Sequence, residues 1–230
     1  MAERSRFSRG RSSQRAQAVV VIGLGRFGSA VATTLNELGH DVLGIDESPS
    51  RIAALRDSLD HVVEADCTDP VALDQVGIKE FDRAVVAIGA DIEASILTTA
   101  ALADLGLPDI WAKAMTTAHA RILDRVGAHH VVFPEAQMGE RIAHLVGGRM
   151  LDFLPLDEGF ALVETVAPAS VRDRSLGEIG VRKRYGITVV CVKPAGGQFT
   201  YATADTVLCE GDVIVVAGAT SSAEKFATLD

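Results

Sequence analysis

The 230-residue chain has few cysteines, no long apolar run and no surplus of positive charge, and each shortage closes off a class of function. Cys67, Cys191 and Cys209 form no CxxC pair and leave an odd count, so the sequence encodes neither a disulfide framework nor a zinc motif, and reduced thiols fit a cytosolic compartment. No stretch approaches the length of a membrane span. A basic start before an apolar run resembles a signal peptide, but the run is short and already belongs to a strand and a glycine loop. The expected location is the cytosol. A net charge of −9 argues against nucleic-acid binding. There is no P-loop and no Ser-His-Asp order, and His119, His129, His130 and His144 are scattered without metal-ligand spacing. No internal repeat is visible.

An apolar content of 48% is ample for buried cores and suits one large or two small domains. Residues 1–15 hold five arginines and one acid. That basic segment has little to bury and is expected to be a disordered tail over 1–16.

Residues 18–28, AVVVIGLGRFG, organise the rest of the chain. The apolar run Val19 to Ile22 leads directly into Gly23, Gly25 and Gly28 in G-x-G-x-x-G spacing, and then into a helical pattern: a parallel-sheet strand feeding a helix whose N-terminus faces a pyrophosphate. Gly23 is read as the tight turn, Gly25 as the point where phosphates approach the backbone, and Gly28 as the place where helix lies close on strand. The N–H groups of the first helical turn then bind negative charge. The helix carries a stripe of Phe27, Ala30, Val31, Thr34, Leu35 and Leu38, and stops at Gly39.

A second strand, Val42 to Ile45, ends in Asp46. An acid at this strand tip can accept both hydroxyls of an adenosine ribose and would repel a 2′-phosphate; the alternative is a cap of the turn before Pro49. Arg26 stands inside the glycine loop, where the helix dipole disfavours a cation unless an anion is present. It is either a phosphate contact or a solvated arginine.

Further strands are expected at 61–65, 83–88, 110–114 and 130–133, with helices opening at Ser48-Pro49 and spanning about 92–105 and 118–126. This alternation makes a doubly wound parallel sheet, with ligand across the carboxyl ends of the strands. Asp46, Asp66, Gly89, Lys113 and Glu135 all fall at or just past such ends. Residues 135–146 form an amphipathic helix with Met138, Ile142, Leu145 and Val146 on one stripe, either crossing to another lobe or subunit or packing in a core. From Met150 the texture changes to a small α+β lobe, with strands at 160–166, 187–192 and 213–216, a short one near 199–201, and a helix near 175–182. The expected division is a nucleotide-binding domain at 17–148 and a C-terminal domain at 149–230. The second lobe offers no acid, base or nucleophile set to meet a substrate.

The run VIGLGRFGSAVATTLNELGHDVLGID, then EADCTD, AVVAIGADIEASILTTAALADLG, IWAKA and VVFPEAQMGERIA, resembles the RCK (KTN) domains of Ktr- and Trk-type potassium-uptake systems, and the Ktr regulatory subunits most of all. SLGEIGVRKRYGITVVCVKPAGG and DTVLCEGDVIVVAG look like the smaller RCK C-terminal domain, so the resemblance covers about residues 17–220. It implies a Rossmann-like domain and a small α+β domain in a cytosolic gating ring. The ring would be built of dimers assembled to an octamer and docked on a membrane potassium-translocating subunit. By matched position, Gly23, Gly25 and Gly28 would hold the phosphates of ATP, ADP or NAD(H), with Phe27 in the same loop. Asp46 would hold the ribose, Asp66 with its neighbour Cys67 the adenine side, and Arg26 the terminal phosphates. Lys113, near Gly89, would be a further phosphate contact. Glu135 would match an acid associated with Mg²⁺, Ca²⁺ or Na⁺ between paired N-terminal domains. Some Ktr-type subunits bind cyclic di-AMP, and the matching segment here is Ile179 to Ile187, with Arg182 facing phosphate and the two isoleucines as apolar walls. The alternatives are a small NAD-dependent oxidoreductase and a free-standing nucleotide sensor.

Overall fold

A computed structural model describes residues 18–229, so the basic tail lies outside the described residues. The chain divides into two compact units at Pro134/Glu135.

The first unit alternates strand and helix: β1 (Ala18–Ile22), α1 (Arg26–Glu37), β2 (Asp41–Asp46), α2 (Pro49–Leu55), β3 (His61–Glu64), α3 (Pro70–Val76), β4 (Arg83–Val86), α4 (Ile92–Asp104), β5 (Ile110–Lys113), α5 (Thr117–Arg125) and β6 (His130–Val132). The strands form one parallel sheet in the order β3-β2-β1-β4-β5-β6, with Ile22 of β1 registered beside Ile45 of β2 and Val86 of β4. Chain order reverses between β1 and β4, the switch point at which such sheets open a ligand crevice at their carboxyl edge. β1 is apolar throughout because both its faces are covered. Val20 and Ile22 join Ile45, Leu102 and Leu123 in the core on one face, and Val19 and Val21 join Ala32, Ile52 and Leu59 on the other.

The face of α1 that meets the sheet differs from the expected stripe. Gly28 and Ala32 are its buried residues, Val31 and Leu35 are half-buried, and Ala30, Thr34 and Leu38 are exposed. Close approach of helix to strand selects small residues at the contact, and hydrophobicity alone does not mark them. α3 is an addition to the expected elements. It begins at Pro70, the first helical residue, with Asp69 capping through Val71 N–H.

The second unit comprises α6 (Pro134–Gly147, from Glu135 onward), β7 (Met150–Asp157), β8 (Phe160–Val166), α7 (Leu176–Ile179), α8 (Val181–Tyr185), β9 (Ile187–Lys193), β10 (Thr200–Tyr201), β11 (Val213–Ala219) and α9 (Thr220–Ala227). Its sheet is antiparallel, in the order β10-β9-β11-β8-β7. Alternate residues of β8, β9 and β11 (Ala161 and Val163, Ile187 and Val189, Ile214 and Val216) face a core closed by Phe226 of α9. The single helix expected at 175–182 is two, α7 and α8, because Gly180 between them adopts φ 65°. α6 is tied into this unit: Arg141 donates to both carboxylate oxygens of Asp152 at 2.8 and 2.6 Å, and His144 stacks on Phe153 at 3.9 Å.

Candidate functional site

The glycine loop joins β1 to α1 at the carboxyl edge of the parallel sheet. Gly23 adopts φ 90°, a conformation L side chains rarely take, and its N–H donates to Ile45 O at 2.8 Å. Gly28 is where α1 touches that turn, since a Cβ there would fall 1.9 Å from Gly23 O and 2.9 Å from Ala87 Cβ. Gly25 is the opposite case. It is the N-cap of α1 at φ −69°, no side chain caps that helix, and nothing lies within 4 Å of where its Cβ would stand. The loop thus leaves open space beside an uncapped helix N-terminus, which is what a phosphate needs. No acid occupies the first turn of α1, whereas exposed Arg26 does.

Asp46 at the tip of β2 is 4% exposed. Its Oδ2 accepts Leu24 N–H from inside the glycine loop at 2.6 Å, and its Oδ1 accepts Ser48 N–H at 2.8 Å. The carboxylate therefore shapes the turn before Pro49 and is also wired to the glycine loop. It has a third partner that the sequence does not announce. Arg51 of α2 reaches back with Nη1 3.2 Å from Oδ2 and 3.4 Å from Oδ1.

Beyond β3, Asp66 is exposed and accepts the Thr68 hydroxyl at 2.7 Å and Thr68 N–H at 2.9 Å, which together hold its carboxyl below the usual range. The Cys67 side chain is instead buried in the core, and burial first, with Asp66, Asp46 and Glu47 adding repulsion, pushes its thiol up to about 12. Any ligand contact at Cys67 comes from its backbone. At the carboxyl end of β5, Lys113 is 7% exposed, with its Nζ 5.7 Å from the Phe27 ring centroid and 3.0 Å from where a Gly89 Cβ would stand. The structure thus gathers Gly23, Gly25, Arg26, Phe27, Gly28, Asp46, Gly89 and Lys113 along one sheet edge, with Asp66 at the end of the neighbouring strand. Glu135 is the exposed second residue of α6, in the other unit.

Among the histidines, His119 is buried. Its Nδ1 accepts Met115 N–H at 3.3 Å, its Nε2 has no partner, and burial lowers its pKa. His129 Nδ1 accepts Ile110 N–H at 3.0 Å, and His130 stacks on Trp111 at 4.1 Å. Among the described residues no group of His, Cys, Asp or Glu is arranged to hold a metal, and no helix is long and apolar enough to cross a membrane. In the second unit, Arg182 Nε donates to Thr188 Oγ1 at 3.0 Å. Ile179 and Ile187 are 7% and 1% exposed in the core, and do not form surface walls.

The order β3-β2-β1-β4-β5-β6, a glycine loop at the switch point and an acid at the tip of β2 define a Rossmann-like unit followed by a small α+β unit. Residues 19–134 match the TrkA-N domain and residues 160–229 the TrkA-C domain, and the chain belongs to that family. It is 37% identical over 207 residues to the Ktr system potassium uptake protein C of Bacillus subtilis (strain 168), covering 90% of this chain and 94% of that one. It is 34% identical over 207 residues to the Ktr system potassium uptake protein A of the same organism, covering 90% and 93%. The fold matches the GsuK channel bound to NAD with a TM-score of 0.63 at 18% identity, over 96% of this chain and 41% of that chain.

Proposed function

We propose that this chain is the nucleotide-responsive regulatory subunit of a potassium-uptake system, itself without enzymatic activity. Its family membership and its similarity to two Ktr proteins support the transport role. The observation that carries the nucleotide reading is the Asp46 carboxylate, held on Leu24 N–H beside the open space over Gly25. In this reading ATP, ADP or NAD(H) lies across the carboxyl edge of the sheet. Gly23, Gly25 and Gly28 receive the phosphates and Asp46 the ribose diol. Asp66 and the Cys67 backbone border the adenine. Arg26 meets terminal phosphates, while Lys113, packed against Phe27 and Gly89, adds a cation nearby.

Glu135 offers one oxygen ligand for Mg²⁺, Ca²⁺ or Na⁺, and a facing glutamate from a second copy completes the site, since two such carboxylates repel without a cation between them. The chain assembles as dimers into an octameric ring on the cytosolic side of a membrane translocating subunit. Nucleotides bias the ring only by their difference in affinity between its shapes. Cyclic di-AMP at the second unit rests on Arg182 and the family resemblance alone.

Calorimetric titration with ATP, ADP, NAD and NADH tests the nucleotide reading, and co-purification with a Ktr-type membrane subunit tests the partner. Turnover in a hydride-transfer assay would favour the oxidoreductase instead, and nucleotide binding without any membrane partner the free-standing sensor.

A further inference from the structure

Asp46 is a carboxylate with four acceptor positions, two of them already occupied by backbone N–H groups. Leu24 N–H holds Oδ2 at 2.6 Å and Ser48 N–H holds Oδ1 at 2.8 Å, and both belong to the turns that shape the site. The remaining acceptor on each oxygen, the pair a ribose diol requires, is shared by one nitrogen of Arg51 at 3.2 and 3.4 Å. The Asp46 side chain is 2% exposed and that of Arg51 is 52% exposed. The acid is therefore fixed, while its cation reaches in from the surface of α2 and can leave without disturbing a core residue.

We infer that Arg51 is the specificity-determining residue at the ribose end of the site, a cation that stands on Asp46 and turns to face the 2′ position of a bound nucleotide. The inference rests on the nucleotide reading above. A 2′,3′-diol brings two O–H donors, one for each carboxylate oxygen, and such bonds to a charged acceptor are short and strong. They displace a single nitrogen stretched between both oxygens. The displaced guanidinium stays tethered five positions along the chain from Asp46, beside the ribose edge.

The same side chain changes what the site rejects. A bare carboxylate at this strand tip repels a 2′-phosphate, and a neighbouring arginine accommodates one. The guanidinium fork binds phosphate oxygens two at a time. With Arg51 present, Asp46 is half of a neutral pair, and adenosines carrying a 2′-phosphate join those carrying a 2′-hydroxyl as ligands.

NAD and NADP differ only at that position, so titrating the full chain with each isolates the effect. The parent protein is expected to bind both. Arg51→Met, which keeps an unbranched apolar stem, should weaken NADP by roughly tenfold or more while leaving NAD unchanged or tighter, and Arg51→Lys should restore most of the NADP binding. Equal weakening of both ligands would reduce Arg51 to a prop for Asp46 and overturn the inference, as would an unchanged NAD to NADP ratio. A parent protein that binds NAD but not NADP overturns it while leaving the nucleotide reading intact. If the parent binds none of ATP, NAD or NADP, the nucleotide reading fails and takes the inference with it.

Discussion

Two glycines of the same loop should respond in opposite ways to one added methyl group. At Gly28 an alanine Cβ would fall 1.9 Å from Gly23 O and 2.9 Å from Ala87 Cβ. The first of these neighbours is backbone in a turn held by the Gly23 N–H bond to Ile45 O, so α1 must lift off the sheet. Overpacking of this kind costs about 1–3 kcal/mol, and a backbone neighbour puts it at the upper end. Alanine in place of glycine in a helix returns about 1 kcal/mol. The net loss is about 2 kcal/mol, on the order of 5–10 °C in melting temperature for a unit of this size. At Gly25 the same Cβ meets nothing within 4 Å, and φ −69° suits alanine. Gly25→Ala should melt within about 2–5 °C of the parent, losing only the preference for glycine over alanine at an N-cap, on the order of 0.5–1 kcal/mol. Its cost falls on the ligand, because the methyl group occupies the space assigned to phosphate, and ATP affinity should drop by about tenfold or more. Thermal melting and calorimetry on both variants decide the matter. A Gly28→Ala protein as stable as the parent would refute the close approach of α1, and a Gly25→Ala protein with parental ATP affinity would remove the phosphates from this loop.

Arg26→Ala should weaken ATP more than ADP, read by parallel titrations; equal losses would leave Arg26 as a solvated arginine. His119 is buried with a lowered pKa, so the unfolded chain takes up its proton first. Its contribution to stability is fully present above about pH 6.5 and is lost progressively as pH falls below that toward the lowered folded value. Melting curves from pH 7.5 to 5.5 should therefore show a decline that His119→Asn reduces, and an equal decline in both proteins would assign it to other groups. Glu135→Gln should retain ATP binding yet lose any rise in melting temperature on adding Mg²⁺ or Ca²⁺; a rise equal to the parent's would make Glu135 only a helix-start residue.

The parallel sheet is legible because its strands are unbroken apolar runs separated by helical periods, and the roles of Gly23 and Gly28 come from their spacing alone. Elements that stay hidden lack such contrast. β7 reads MLDFLPLD, with Pro155 inside it and only Phe153 fully buried, so neither alternation nor a solid apolar run announces a strand. α3 does carry a signal, Asp69 followed by Pro70 at the first helical position, but the same residues also read as the end of the preceding strand. The buried face of α1 is misread from periodicity because it is lined by Gly28 and Ala32, which are only weakly hydrophobic, and Gly28 lies against the Gly23 turn. Arg51 is invisible for another reason. An arginine one turn into a surface helix looks solvated, and only the fold shows that its side chain turns back onto Asp46.

Docking of an adenine nucleotide by its ribose on Asp46 is open to calorimetric titration of ATP into the parent chain and into Asp46→Asn. The amide keeps the size of the carboxylate but only one acceptor oxygen, so one of the backbone bonds from Leu24 and Ser48 is lost along with the charge-assisted bonds to the diol, the latter worth about 1.5–3 kcal/mol, and thermal melting establishes that the variant is folded. The parent should bind ATP saturably, and a folded Asp46→Asn protein should bind it at least about tenfold more weakly. Equal affinities in the two proteins, or no binding by the parent, would contradict it.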